Sequence, residues 1–165
     1  MSSSAAILAS SRRDGAALAE QRRRFIEDFG QLYAKYGISL SFGRVFALLL
    51  MSEGPLSLDD IAAQLETSKS TISVATRDLA RVGVARRVGR PGSRRVLYEA
   101  CDDMLPIFEA QFARVRQSLT VLKRGDGLLP RGRARERLLE MQALHEFWLI
   151  ESEGIVERWR LRRSG

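Results

Sequence analysis

The sequence predicts a mainly α-helical protein with one short β-hairpin. Apolar residues recur every three or four positions through most of the 165 residues, which is the spacing of amphipathic helices. Glycine and proline interrupt this pattern at intervals and separate one helix from the next. Pro91 and Gly92 lie between two short valine-containing segments, and a Pro-Gly pair favours a tight turn between strands. A chain of this length suits one domain, with or without appended helices.

Two helices are predicted in the first third of the chain. The first covers about Ala16–Tyr36, and Gly37 is well placed to end it as a C-cap residue. The second covers about Phe42–Ser52 and is apolar on most of its sides, which indicates that it is buried. Gly54 and Pro55 then end this helix.

A pair of helices joined by a three-residue turn follows. Ser57 and Asp60 form a capping-box pattern at the start of a short helix over Leu58–Leu65. The next helix is predicted over Lys69–Val82, and Gly83 ends it. Apolar positions spaced by three and four make its inner stripe, which consists of Ile72, Ala75 and Leu79. The outward face is predicted to carry Lys69, Ser70, Ser73, Val74, Arg77 and Arg81.

The hairpin and two long helices complete the chain. Strands are predicted at Val84–Val88 and Arg94–Glu99, and Gly89–Ser93 forms the turn between them. Helices are predicted at Leu105–Leu122 and about Arg131–Arg163. The last helix has a seam at alternating steps of three and four, which needs a partner helix from the same chain or from a second copy. The seam residues are Leu138, Met141, His145, Trp148, Ser152, Ile155 and Trp159.

Positive charge is concentrated in one part of the chain. The sequence has 27 basic and 20 acidic residues, a net charge of +7. Residues 68–97 contain eight basic residues and a single acidic one, Asp78, so this segment holds the whole excess. Such a concentration is typical of a polyanion-binding face. The alternative is a solvated charged face that binds nothing.

The predicted elements follow the order helix, turn, helix and arginine-rich hairpin. This is the element order of a winged helix-turn-helix, which indicates DNA binding. A helix fits the major groove, and short side chains at its start let its amides approach phosphate. Arg90, at the hairpin tip, is predicted to enter the minor groove, whose negative potential favours arginine. Each part has another interpretation, because serines also cap helices and arginines also keep a strand edge soluble. The candidate DNA-binding residues are Ser68, Lys69, Ser70, Thr71, Ser73, Arg77, Arg81, Arg86, Arg87, Arg90, Arg94 and Arg95.

Residues 40–100 resemble the MarR superfamily of bacterial regulators. The resemblance rests on the pattern Ile61-Ala-x-x-Leu-x-x-Ser-Lys-Ser-Thr-Ile-Ser73, followed by Leu79-x-x-x-Gly-Val84. Gly43-Arg-x-x-Ala-Leu-Leu49 and Gly92-Ser-Arg-Arg-Val-Leu-Tyr-Glu-Ala100 look like the GbsR branch of that superfamily.

The resemblance implies a homodimer with its recognition helix at Lys69–Val82 and its wing at Val84–Tyr98. Many relatives carry an acidic residue just before the wing arginine that Arg94 matches, and this chain has Ser93 there. The ion pair that supports the wing arginine in those relatives is therefore not carried over to this chain.

The resemblance also implies control by a small molecule. Some GbsR-type regulators respond to choline or related osmolyte precursors, and a cage of aromatic rings binds a quaternary ammonium. The cage candidates are Phe25, Phe29, Tyr33 and Trp148, together with Tyr36, Phe42 and Phe46, and the alternative is that these rings are core or interface residues. Two residues have a similar pair of interpretations. Cys101 is either a redox trigger or an ordinary packed residue, and His145 is either a pH switch or an ordinary packed residue.

Four segments and one function are predicted from these features. The segments are a disordered tail over 1–14, an N-terminal helix over 15–37, a winged helix-turn-helix over 38–100 and a helical dimerisation region over 101–165. The expected function is sequence-specific transcription regulation, as a repressor, on a pseudo-palindromic operator in double-stranded DNA. The alternative is a winged helix that binds a protein partner. We expect a cytoplasmic, nucleoid-associated protein with no membrane segment.

Enzyme and metal chemistry are not expected. The chain has one cysteine and one histidine, too few for an intrachain disulfide or a Cys/His zinc site. It has neither a glycine-rich phosphate loop nor a nucleophile–base arrangement. No cofactor is expected for the same reasons.

Overall fold

The computed structural model describes residues 3–89 and 95–164, which form two compact units, Met1–Asp102 and Asp103–Gly165. The division between the units lies two residues after the predicted boundary between residues 100 and 101. The described part of the second unit contains helices α5 (Leu105–Lys123) and α6 (Arg133–Ser164). The first unit contains α1 (Ser3–Lys35), α2 (Leu40–Leu50), β1 (Leu56–Ser57), α3 (Leu58–Gln64), α4 (Lys69–Val82), β2 (Ala85–Gly89) and β3 (Val96–Ala100).

Helix α1 is longer than the sequence predicts. It begins at Ser3 rather than near Ala16, within the segment 1–14 that was predicted as a disordered tail. Alanine is the strongest helix former and no proline intervenes, so the helix continues through Gly15.

The end of α1 agrees with the prediction. Gly37 has a φ of 75°, which is the left-handed conformation that glycine adopts easily. Its N–H donates to the Ala34 carbonyl at 3.0 Å, and the Ile38 N–H donates to the Tyr33 carbonyl at 3.1 Å. These two bonds are the Schellman arrangement, which satisfies carbonyls at the end of a helix.

The sheet has three antiparallel strands in the order β1-β3-β2, whereas two strands were predicted. Strands β2 and β3 pair with Ala85 opposite Ala100 and Gly89 opposite Val96, as expected for the hairpin. The additional strand, β1, pairs Leu56 with Tyr98. Two residues are too short to show a strand period, so the sequence did not reveal β1. The tip of the predicted turn, residues 90–93, lies outside the described residues.

Helix α2 lies at the centre of the first unit. Val45, Ala47, Leu48 and Leu49 are each at most 2% exposed, which confirms the predicted burial of this helix. Helices α1 and α4 and strand β3 all contact it. The core of the winged helix is therefore built around α2.

Helices α1 and α2 cross at two glycines. A Cβ atom added at Gly43 would lie 2.8 Å from the Gly30 Cα and 3.0 Å from the Phe29 carbonyl oxygen. Real side chains do not tolerate contacts to backbone this short. The two helices can therefore pack at this distance only because both residues lack a side chain.

The second unit is an antiparallel helix pair with a partly polar inner face. Gln142, Ser152 and Val156 of α6 are buried, and the Gln142 side chain donates to the Leu122 carbonyl at 3.1 Å and to Asp126. The His145 ring lies 2.8 Å from the Met141 carbonyl oxygen and 3.1 Å from Ser118 Oγ.

The predicted seam of α6 is divided between two faces. Its members Leu138, His145 and Ser152 are half-buried or buried, while the others are exposed. Exposed apolar residues therefore remain along α6, among them Met141, Leu144, Phe147, Trp148, Ile150, Ile155, Trp159 and Leu161. None of the described helices is both long and apolar enough to cross a membrane.

We predict that Gly43→Ala lowers the free energy of unfolding by about 1–3 kcal/mol, because the added methyl group forces α1 and α2 apart. The matched control is Gly15→Ala in α1, where a new Cβ has no atom within 4 Å. This control should raise the free energy of unfolding by about 0.5–1 kcal/mol through helix propensity. Urea unfolding followed by circular dichroism measures both, and a Gly43→Ala protein as stable as wild type would contradict the close crossing.

Candidate nucleic-acid interface

One face of helix α4 is anchored in the core. Ile72 and Leu79 are fully buried and Ala75 is 2% exposed, so the predicted inner stripe is confirmed. Thr76 is also fully buried, and its hydroxyl donates to the Ile72 carbonyl at 2.9 Å. Because its polar group is satisfied within the helix, Thr76 packs as a small core residue. The buried face fixes which side of α4 is presented to solvent.

The start of α4 carries a cluster of hydroxyl groups. Ser68 is the N-cap residue, and its Oγ accepts a hydrogen bond from the Thr71 N–H at 3.2 Å. The same Oγ lies 2.9 Å from Ser70 Oγ and 2.8 Å from Thr71 Oγ1. Ser68 and Ser70 are exposed, and Thr71 is half-buried. Ser68 therefore acts as a cap, as one of the two interpretations of the serines requires, while Ser70 faces solvent.

Three basic side chains are exposed along α4. Lys69 Nζ lies 2.8 Å from Asp59 Oδ1, and Arg81 Nη2 lies 2.9 Å from Asp78 Oδ1. The Arg77 Nε–H donates to the Ser73 carbonyl at 3.1 Å. Exposed ion pairs contribute only about 0–1 kcal/mol, so these cations can exchange a protein carboxylate for a phosphate at little cost.

Val74 is an exposed apolar residue among these polar side chains. It is 51% exposed at the centre of the outward face of α4. The sequence placed it on that face but did not include it among the candidate DNA-binding residues. A branched aliphatic side chain at such a position is suited to contact the methyl group of thymine in the major groove.

Arg86 of β2 is engaged by acidic side chains of its own unit. It pairs across the hairpin with Glu99, at 2.7 Å from Nε to Oε1, and its Nη2 lies 3.8 Å from Asp102 Oδ2. The hydrogen bond and charge of Glu99 raise the pKa of Arg86 further. Both acids lie beyond residue 97, so the charge count over residues 68–97 did not include them. The basic face is therefore less positive at Arg86 than the sequence predicted.

Two other hairpin arginines, Arg87 and Arg95, are exposed. Arg87 is exposed and lies opposite Tyr98 in the register of β2 and β3. Arg95 is exposed, and its charge contributes to a lowered pKa of the Asp60 carboxyl. Arg90 and Arg94, including the predicted minor-groove contact of Arg90, lie outside the described residues.

Several of the predicted cage rings come together where α1 packs on α2 in the first unit. Phe29 lies between Phe25 and Tyr33, with ring centroids 5.7 and 5.1 Å apart. Phe29 also contacts Phe46 of α2, and burial raises the pKa of Tyr33. Trp148 belongs to the second unit, where its ring centroid is 5.3 Å from that of Phe112. Phe29 and Tyr33 are half-buried against α2, Phe25 is 45% exposed, and effector binding stays a prediction.

Cys101 follows β3 and is half-buried, and its backbone N–H donates to the Val84 carbonyl at 2.9 Å. This bond extends the pairing of the hairpin by one residue. The arrangement gives the cysteine backbone a structural role and leaves the redox prediction untested.

The comparison with protein families identifies the domain. Residues 44–103 match the family model of the winged helix DNA-binding domain. A solved structure described as a transcriptional regulator superimposes with a TM-score of 0.75 and 20% identity, covering 86% of this chain and 99% of that one. The predicted winged helix-turn-helix is therefore confirmed, and residues 44–103 form a winged helix DNA-binding domain.

Two relatives from Bacillus subtilis (strain 168) are regulators by name. YvaV, named as an HTH-type transcriptional regulator, is 26% identical over 95 residues, which are 55% of this chain and 54% of YvaV. OpcR, an HTH-type transcriptional repressor, is 24% identical over 139 residues, which are 75% of this chain and 74% of OpcR. The chain thus spans about half the length of the first relative. Both relatives carry the names of regulators, and the GbsR branch stays a prediction.

The capping box that starts α3 predicts a pH dependence. Hydrogen bonds from the Ser57 hydroxyl and backbone, followed by the charge of Arg95, lower the pKa of Asp60. A carboxyl with a lowered folded-state pKa stabilises the protein above its unfolded pKa, and that contribution is lost as the pH falls through the folded pKa. We predict that Ser57→Ala costs about 1 kcal/mol at pH 7 and weakens the loss of stability below about pH 4.

The control for this prediction is Ser39→Ala. Ser39 caps α2 by accepting a hydrogen bond from the Phe42 N–H at 3.1 Å, without a carboxylate in the cap. Its removal should cost similar stability at pH 7 and leave the acid dependence as in wild type. Thermal unfolding between pH 3 and pH 7 measures both variants, and parallel acid profiles for Ser57→Ala and wild type would disprove the role of Ser57.

Proposed function

We propose that this chain is a sequence-specific, double-stranded-DNA-binding transcription regulator of the MarR type. The observation that carries the proposal is the two-sided character of α4. Its inner face is fixed by fully buried Ile72 and Leu79, and its outer face presents hydroxyl, amine and guanidinium groups. A helix held in this way within a winged helix DNA-binding domain is the element that enters the major groove.

The side chains of α4 divide into base-reading and phosphate-binding groups. Ser70 and Ser73 near its start are short enough for the helix to approach base edges, and Val74 meets a thymine methyl group. Lys69 and Arg77 bind flanking phosphates, with Lys69 leaving Asp59 to do so. Phosphate contacts supply affinity that depends on salt, and base contacts supply specificity.

The hairpin supplies a second set of contacts. Arg87 and Arg95 are exposed on β2 and beside β3, where they can bind phosphates next to the groove that holds α4. Arg90 and Arg94 remain predicted minor-groove residues. Arg86 contributes less, because Glu99 and Asp102 of the same unit both hold it, whereas Arg81 leaves Asp78 for a phosphate as Lys69 leaves Asp59.

We further propose that the chain acts as a homodimer through the second unit. Helix α6 leaves Leu144, Phe147, Ile150 and Ile155 between 58% and 68% exposed. Apolar side chains in such number along one helix are typical of an interaction surface. A two-fold dimer then requires an operator with two half-sites about one helical turn apart.

Repression is the direction of control that we propose, by occupation of a promoter. OpcR, which aligns with three quarters of this chain, is named a repressor. Such a protein works in the cytoplasm on nucleoid DNA. Control by a small molecule, with Phe25, Phe29, Tyr33 and Trp148 as candidate contacts, remains part of the hypothesis.

We predict that Arg77→Ala weakens DNA binding by roughly threefold to tenfold. The slope of log affinity against log salt concentration should fall in magnitude by about one. The control is Arg23→Ala in α1, an exposed arginine paired with Glu20 and remote in sequence from α4. Fluorescence anisotropy on a labelled duplex at several salt concentrations measures both. An unchanged slope in Arg77→Ala would contradict the phosphate contact, and a protein partner without DNA affinity would favour the alternative function.

We predict that Ile155→Glu weakens self-association by roughly a hundredfold, because it places an unpaired charge in an apolar interface. The control is Glu140→Gln, which changes an exposed polar residue of the same helix. Sedimentation equilibrium at micromolar concentrations should show a wild-type and control dimer and an Ile155→Glu monomer. A dimer in all three proteins would exclude this face as the interface.

A further inference from the structure

We propose that Arg44 of α2 positions the recognition helix α4 for DNA by holding the turn between α3 and α4. The inference rests on the proposed function. Arg44 belongs to the Gly-Arg pattern at residues 43–44, which the DNA-binding surface does not use. The bonds of its guanidinium go to the turn and to Glu27, so Arg44 acts on α4 through the turn.

The turn contains a strained residue. Glu66 has a φ of 50°, and it is the one non-glycine residue with a positive φ in the described part of the chain. The Thr67 N–H donates to the Ala62 carbonyl at 3.0 Å, which closes the end of α3 around Glu66. A side chain with a Cβ disfavours the left-handed conformation, so neighbouring contacts must hold it.

Arg44 supplies contacts on both sides of Glu66. Its Nη2 donates to the Leu65 carbonyl at 2.8 Å, and its Nη1 donates to Thr67 Oγ1 at 3.3 Å. Thr67 Oγ1 also donates to the Leu65 carbonyl at 2.9 Å, so each of the three groups is hydrogen-bonded to the other two. The planar guanidinium directs two N–H groups at these acceptors in a fixed geometry, whereas the rotatable ammonium of lysine imposes no such geometry.

The two crossing glycines make this reach possible. A Cβ at Gly30 would lie 2.5 Å from Arg44 Cγ, so the stem of the arginine passes directly over the backbone of α1. Arg44 Nε lies 3.1 Å from Glu27 Oε2 as an ion pair, although it makes no aligned hydrogen bond. The guanidinium thereby connects α1, α2 and the turn.

The geometry of α4 depends on this turn. The helix is capped by Ser68, the residue directly after Thr67, so a rotation at Glu66 moves the whole start of α4. Ser70 and Ser73 must lie within hydrogen-bond distance of base edges to discriminate sequences. Phosphate contacts tolerate small displacements better, so loss of Arg44 should reduce specific binding more than nonspecific binding.

The test compares Arg44→Lys with Arg24→Gln, an exposed α1 arginine paired with Glu20. In the free protein, amide hydrogen exchange should accelerate about tenfold over residues 65–71 in Arg44→Lys, without change in the β2–β3 hairpin or in Arg24→Gln. On a duplex that the wild type selects from a random-sequence library, Arg44→Lys should bind about tenfold more weakly. On an unselected duplex its affinity should stay within about twofold of wild type.

A second substitution separates positioning from general stability. Glu66→Gly relieves the left-handed strain, so adding it to Arg44→Lys should restore most of the lost specific affinity and the slow exchange. It also serves as the background for the experiment if Arg44→Lys alone does not fold. Absence of rescue, equal loss on both duplexes, or wild-type exchange at 65–71 would each overturn the proposal. Failure of the wild type to select any duplex would contradict the proposed function, while the exchange result still decides whether Arg44 holds the turn.

Discussion

The close crossing of α1 and α2 is the constraint on which the rest of the first unit depends. Gly43 and Gly30 let the two helices meet backbone to backbone, and the apolar α2 is then covered on one side by α1. Its other sides are covered by α4 and β3, whose side chains Leu79 and Tyr98 are buried. Because the apolar face of α4 is buried against α2, only its polar face is available to a partner.

The basic side chains on that polar face can exchange a protein carboxylate for a DNA phosphate. In the free protein, carboxylates of the same unit neutralise part of the positive charge, as Asp59 does at Lys69 and Glu99 at Arg86. Such exposed pairs hold a side chain in place at low energetic cost. A DNA phosphate carries the same single negative charge as the carboxylate and can replace it, and the dense row of phosphates along the duplex favours this exchange. Net charge over a sequence window therefore overstates the charge available to DNA, most clearly at Arg86.

Local signals in the sequence predicted the helix-turn-helix well. Helix α4 has the predicted bounds, because Ser68 and Gly83 are strong caps, and the capping box of Ser57 and Asp60 forms as expected. The features that sequence reasoning missed depend on tertiary contacts. Strand β1 exists only because β3 lies beside it, the Arg86–Glu99 pair follows from the hairpin register, and Arg44 reaches the turn through a helix crossing. The start of α1 was missed for a different reason, since a tail rich in serine and alanine was interpreted as disordered although alanine favours helix.

We propose that the outer face of α4, repeated in a dimer, reads a defined DNA sequence. Selection of bound duplexes from a random-sequence library by the full chain tests it most directly. We expect enrichment of a two-fold-symmetric sequence whose half-sites are about 10 base pairs apart. A bound pool that stays as random as the starting library, at a salt concentration where the protein still binds DNA, would contradict it.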